Sequence, residues 1–112
     1  MSFNEFDSTF DGQIIEAVSK LEEGVSLKLS HGRWDIFNRV SPSAVEVENL
    51  FLGMKIEGLK LIGETVEVSI SPSFSKLYIY VDEASWSGPD AYMWTNSEGF
   101  MQVVQWEDFH PE

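Results

Sequence analysis

The sequence predicts an α+β fold, mainly antiparallel β: about seven short strands in a curved sheet or two-layer arrangement, with one N-terminal helix. Three observations carry this expectation. Residues 64–82 read as two strands joined by a tight loop. Much of the remaining chain alternates polar and apolar side chains over short runs, punctuated by Gly, Pro and Asn. One stretch, residues 12–23, has helical spacing instead. If that stretch is strand as well, the alternative is an all-β sandwich.

The elements follow in order. Residues 1–10 hold Phe3, Phe6 and Phe10 among acids and small polar residues, an arm expected to pack by its rings. In the next stretch Ile14, Ile15, Ala17, Val18 and Leu21 fall on one helical face. Asp11 is placed to cap the first turn, Phe10 and Ile15 stand at staple spacing, and Gly24 suits a left-handed helix end. The same residues also alternate, with Glu22, Glu23 and Gly24 as a turn, but Ala, Lys, Leu and Glu favour the helix.

Residues 25–30 alternate Val25, Leu27 and Leu29 against Ser26, Lys28 and Ser30, and His31 and Gly32 turn the chain back. Trp34 and Ile36 continue on one side, but Asn38 shares that side, so the strand is expected to end early. Pro42 breaks the pattern. Residues 45–48 alternate Val and Glu and read as strand; a helix starting near Ser41 and Pro42 is the rival. Residues 51–62 are apolar but punctuated by glycines, which implies short strands with bulges or turns.

In the 64–82 hairpin, Val66, Val68 and Ile70 alternate with polar residues, as do Leu77, Ile79 and Val81 with Tyr78, Tyr80 and Asp82. The serines and Pro72 between them are turn chemistry. Residues 82–90 compose a loop. Residues 91–95 and 100–106 form a second hairpin around Asn96 and Gly99, and the tail from Glu107 is expected to fray.

At 112 residues the chain suits one domain. It has no cysteine, which excludes disulfides, thiolate metal sites and cysteine nucleophiles. The first residues lack a basic, apolar leader pattern, and no apolar run approaches the ~20 residues of a membrane span. The expectation is a soluble cytoplasmic protein. Nineteen acids against seven bases give a net charge of −12. Residues 57–112 contribute ten acids and only two bases, and no base follows Lys76. Such a field disfavours nucleic acid and anionic membranes and attracts a basic protein or cationic ligand. The plain alternative is that the acids only keep the surface soluble.

Catalytic motifs are absent: no GxSxG, no GxGxxG after a strand, no P-loop and no HExxH. His31 and His110 are the only histidines, one in a turn and one in the tail, and read as solvated loop residues. Asp82, Glu83 and Asp90 share a loop with Trp86. Carboxylates beside an indole suit a sugar, a carboxylate-based hydrolase or a hard cation, although the spacing is not that of an EF-hand.

Residues 77–112 hold eight of the fifteen aromatics, in the third of the chain that has no base after Lys76. Tyr and Trp give large rigid contact area at interfaces, and their faces beside carboxylates suit Lys and Arg. The reading is a non-catalytic binding module, without a cofactor, whose acidic aromatic face engages a basic partner, as in an inhibitor or immunity-like protein. Its candidate residues are Tyr78, Tyr80, Asp82, Glu83, Trp86, Asp90, Tyr92, Trp94 and Trp106. The same rings would equally serve as core or as second-layer packing. Two other functions stay open. One is a small-ligand or carbohydrate-binding protein or hydrolase, with a pocket of Trp86, Trp94 and Trp106 and the loop carboxylates. The other is a homodimer whose C-terminal aromatic strands pair across a two-fold axis.

Overall fold

Alternation settles most of the architecture. The computed structural model describes residues 6–7, 10–71, 75–86 and 88–109. In chain order the elements are β1 (Phe6–Asp7), β2 (Ile15–Lys20), β3 (Val25–Leu29), β4 (Gly32–Ile36) and β5 (Val40–Ser41), then α1 (Ala44–Phe51). They continue with β6 (Lys55–Ile62), β7 (Thr65–Ser71), β8 (Ser75–Tyr80), a 3-10 turn at Glu83–Ser85, β9 (Asp90–Asn96), β10 (Met101–Gln105) and the single turn α2 (Trp106–Phe109). The strands form two five-stranded sheets, ordered β1-β6-β7-β8-β5 and β10-β9-β4-β3-β2, with every neighbour antiparallel.

The fold class holds: mainly antiparallel strands in two sheets with one helix longer than a turn. Both predicted hairpins form, β7 with β8 and β9 with β10. The loop tip at Pro72 lies outside the described residues, as do Phe3 and His110. Residues 55–62 make one strand with a bulge between Ile56 and Gly58.

The helix moves. Residues 15–20 are an edge strand, not a helix. Ile15 pairs with Leu29, Ala17 with Lys28 and Val18 with Leu27, so a bulge inserts one residue between Ile15 and Ala17. A bulge stretches a strand's two-residue repeat to three, and Ile15 and Val18 thereby mimic a helical face. Conversely, residues 44–51 are helical. Ala44, Val47 and Phe51 face inward, and Val47 and Phe51 are fully buried. Ser43 and Glu46 stand at capping-box spacing, but Ser43 Oγ donates to Glu46 Oε1 at 3.1 Å and does not cap a backbone N–H of the helix.

The buried side chains of both sheets form a single core. One sheet gives Ile56, Leu59, Val66, Val68, Ile70, Leu77 and Ile79; the other gives Ile15, Val25, Leu27, Leu29, Trp34, Ile36, Tyr92, Trp94 and Val104. Phe10, from the segment before β2, stacks on Trp34 at 4.1 Å between ring centroids and meets Trp94 edge-on at 5.1 Å. The aromatic arm therefore packs through Phe10, as expected.

The chain crosses between sheets at Phe37, Asn38 and Arg39. Asn38 is fully buried, donates its backbone N–H to Ala91 O at 3.3 Å and its Nδ2 to Tyr80 O at 2.9 Å, and so ties β9 to β8. Arg39 donates to Ser85 O at 3.1 Å and accepts from Tyr80 N at 3.0 Å. This crossing places Arg39 beside the 82–86 loop.

Candidate binding surface

Eight of the nine candidate residues divide into three groups; the ninth, Trp106, has a side chain outside the described residues. Tyr92 and Trp94 belong to the core: Tyr92 is 2% and Trp94 5% exposed. Each faces inward because β9 lies between β4 and β10, with Trp94 opposite Trp34 and Tyr92 opposite Ile36. They take no part in an outward face. The Trp106 backbone opens α2.

Tyr78 and Tyr80 occupy the outer face of the other sheet, because Leu77 and Ile79 take the core positions between them. Tyr78 stands opposite Glu67 and Tyr80 opposite Thr65. With Ile62 these residues line a shallow hollow of about 300 Å³. Glu67 is ion-paired with Lys76 at 3.0 Å, and the Arg39 guanidinium lies over the Tyr80 ring, 4.8 Å from its centroid. Tyr80 is thus a ring that already holds a cation from its own chain.

Trp86, Asp82, Glu83 and Asp90 come from the loop between β8 and β9. Trp86 is half-buried; its Nε1 donates to Val81 O at 3.0 Å and its ring meets Phe109 edge-on at 6.0 Å. That contact packs the C-terminal turn α2 against Trp86, within the tail expected to fray from Glu107; residues 110–112 lie outside the described residues. Asp82 accepts from Ser85 Oγ at 2.7 Å and Asp90 accepts from Gln105 Nε2 at 2.9 Å. Both carboxylates therefore serve local structure. Glu83 is exposed.

Beside Trp86 lies a second hollow, of about 290 Å³, lined by Glu22, Glu23, Arg39, Ala84, Ser85 and Trp86. Glu22 and Glu23 come from the turn between β2 and β3, which composition alone does not place near residue 86. The link is topological: the Asn38 crossing carries Arg39 to Ser85, and the β2–β3 turn sits against the end of β4. Gly24 permits that approach. A Cβ there would lie 1.8 Å from Ile36 O and 2.8 Å from Asn38 O. Arg39 lines this hollow and covers Tyr80, which lines the first. Arg39 thus borders both hollows, with Glu22 and Glu23 exposed beside it and Glu83 exposed in the loop that carries Trp86.

Trp94 does not line the hollow at Trp86, so the three-indole pocket does not form. β9 cannot pair across a two-fold axis, because β4 and β10 occupy both its edges. Among the described residues, no three His, Asp or Glu side chains approach closely enough to hold a metal ion, and no helix is long and apolar enough to cross a membrane. A further hollow of about 550 Å³ includes Lys28, Arg33, Thr95 and Asn96, but both its cations are paired, Lys28 with Glu16 at 2.6 Å and Arg33 with Asp35 at 3.1 Å.

No protein-family model matches the chain, and comparison with curated proteins and solved structures finds no significant match. The fold is that of a two-sheet antiparallel β protein with one helix, and function must be argued from its surface.

Proposed function

We propose that this protein is a non-catalytic binding module that engages a basic protein partner through the surface between Tyr78 and Trp86. One observation carries the reading. At least four of the seven bases are paired to carboxylates of the same chain, and acids outnumber bases among the described residues that line the hollow at Trp86. Glu22 and Glu23 are exposed and line the hollow with the half-buried Trp86, Glu83 is exposed in the same loop as Trp86, and among the described residues Arg39 is the only base lining that hollow. Carboxylates steer a cationic surface in, and the aromatic floor offers Lys and Arg stems apolar area to cover. An inhibitor-like or immunity-like role in the cytoplasm fits this electrostatic logic.

The test compares two variants of equal charge. Glu22→Gln/Glu23→Gln/Glu83→Gln neutralises the proposed surface; Glu46→Gln/Glu48→Gln/Glu98→Gln neutralises three exposed acids elsewhere. Each is used to capture proteins from a lysate at about 0.01 M and about 1 M salt, where the Debye length is roughly 30 and 3 Å. A basic protein captured at low salt by wild type and the second variant, but not the first, is the expected result. Equal loss in both variants would reduce the acids to a solubilising coat.

A further inference from the structure

A sheet edge is a row of unpaired N–H and C=O groups, and proteins blunt such rows. Three of the four edges here are blunted. Among the described residues β1 and β5 are two residues each, and β5 runs into Pro42. β2 is bulged, carries Glu16 and Lys20, and packs beside α1. The fourth edge, β10, reads Met-Gln-Val-Val-Gln, with no charge and no proline, and its register shifts only at the last step, between Val104 and Gln105.

The phase of the ladder shows which groups face outward. Asn96 N–H donates to Phe100 O at 2.8 Å. Counting from that pair, Gln102 and Val104 turn their backbone groups toward β9, while Met101 and Val103 turn theirs to the outer edge. Among the described residues no strand pairs with that edge. The side chains add to it. Val104 faces the core, so Met101 and Val103 lie on the outer face, where Val103 stands opposite Met93. Met101 is 56% exposed and Phe100, just before it, 60%.

We propose that β10 pairs with β10 of a second copy of this chain, antiparallel about a two-fold axis, joining two five-stranded sheets into one. Charge selects this occupant. Residues 99–106 contain no carboxylate of their own. Asp90 and Asp108 reach the strand only at its last residue, Gln105, so the outward groups of Met101 and Val103 stand in an uncharged stretch that gives a basic partner no carboxylate to pair with. A second copy brings an equally uncharged strand. With the axis at Val103, Val103 meets its own counterpart and Gln102 meets Val104 of the other copy, so no like charges oppose each other on the ladder. The net charge of −12 on each copy resists the approach, and salt screens that repulsion. Salt therefore strengthens this pairing and weakens docking of a basic partner, and the two surfaces share no residue.

Sedimentation equilibrium at about 100 μM protein, in about 0.01 M and about 1 M salt, tests the proposal on wild type, Val103→Pro and Val103→Lys. Proline at Val103 removes an outward N–H and leaves the bonds to β9 in place, a position where edge strands tolerate it. At high salt wild type should sediment with twice the chain mass, and its dimer constant should weaken at least about ten-fold at low salt. Both variants should weaken the high-salt dimer at least about ten-fold with circular dichroism unchanged. Val103→Lys decides the matter if the proline variant unfolds. Wild type that stays monomeric in both salts overturns the proposal, and so does a dimer that the folded variants leave intact. Neither result touches the acidic surface beside Trp86.

Discussion

Single residues of this chain are asked to do work that their composition does not announce. Asn38 is a buried amide in a segment with no regular structure, yet it bridges Ala91 and Tyr80 across two sheets. Asn38→Ala leaves Tyr80 O without its donor and should lower unfolding stability by about 1–3 kcal/mol in urea titration. Trp94→Ala empties a core position and should cost roughly 3–5 kcal/mol by the same measurement. A Trp94→Ala chain as stable as wild type would be incompatible with the buried position described. Gly24→Ala forces a Cβ against two backbone carbonyls and should cost at least about 1–3 kcal/mol, since neither can move without shifting β4 or the crossing after it. The sequence marks Gly24 as special, but for the wrong reason: its need is close approach of backbone, not a left-handed helix end. Alternation places Tyr78 and Tyr80 on the face opposite Leu77 and Ile79, and the fold turns the tyrosines outward. Tyr92 and Trp94 alternate with Met93 in the same way, and nothing local says which side is inside. That choice is made by the neighbours Trp34 and Ile36, which only the strand order brings into register.

Elements were legible where the two-residue repeat ran unbroken, and misleading where it did not. Residues 64–82 have clean alternation and an explicit turn, residues 90–105 have an explicit turn between two mostly apolar runs, and both hairpins form. β2 is misread because a bulge resets its phase, giving Ile15 and Val18 the spacing of a helix turn. The Val-Glu alternation of residues 45–48 deceives in the opposite direction. Val45 is 65% exposed, and the buried residues are Val47 and Phe51, four apart. The signal that would have found this helix is Ser43 with Glu46 three positions on, just past Pro42. Two substitutions separate the faces of α1. Phe51→Ala should destabilise by roughly 3–5 kcal/mol, whereas Val45→Gln should stay within about 0.5 kcal/mol of wild type. Were residues 45–48 a strand, Val45 would share the buried face of Val47, and Val45→Gln would cost stability as well.

At the scale of the whole molecule, charge was readable from composition but its distribution was not. The C-terminal crowding of acids and rings suggests one patch. The fold divides it: two rings enter the core, two lie on the outside of the other sheet, and Trp86 joins a turn some sixty residues earlier in the chain, at Glu22 and Glu23. The surface that results mixes residues from four separate segments, around 22–23, 39, 62–67 and 78–86. No spacing rule could assemble it, because pairing of distant segments is decided by which strands share a sheet.

The stack of Phe10 on Trp34 carries a consequence for handling the protein. Phe10 belongs to no strand, so the ladder bonds do not hold it; its ring plugs the interior from outside the sheets, with 1% of its surface left in water. Shortening the chain past this residue, or replacing it by alanine, would uncork the space over Trp34, Tyr92 and Trp94. Such a chain should take up a hydrophobic dye and redden its tryptophan emission well before any strand melts. Tags belong upstream of this stopper, with enough slack that it can still seat.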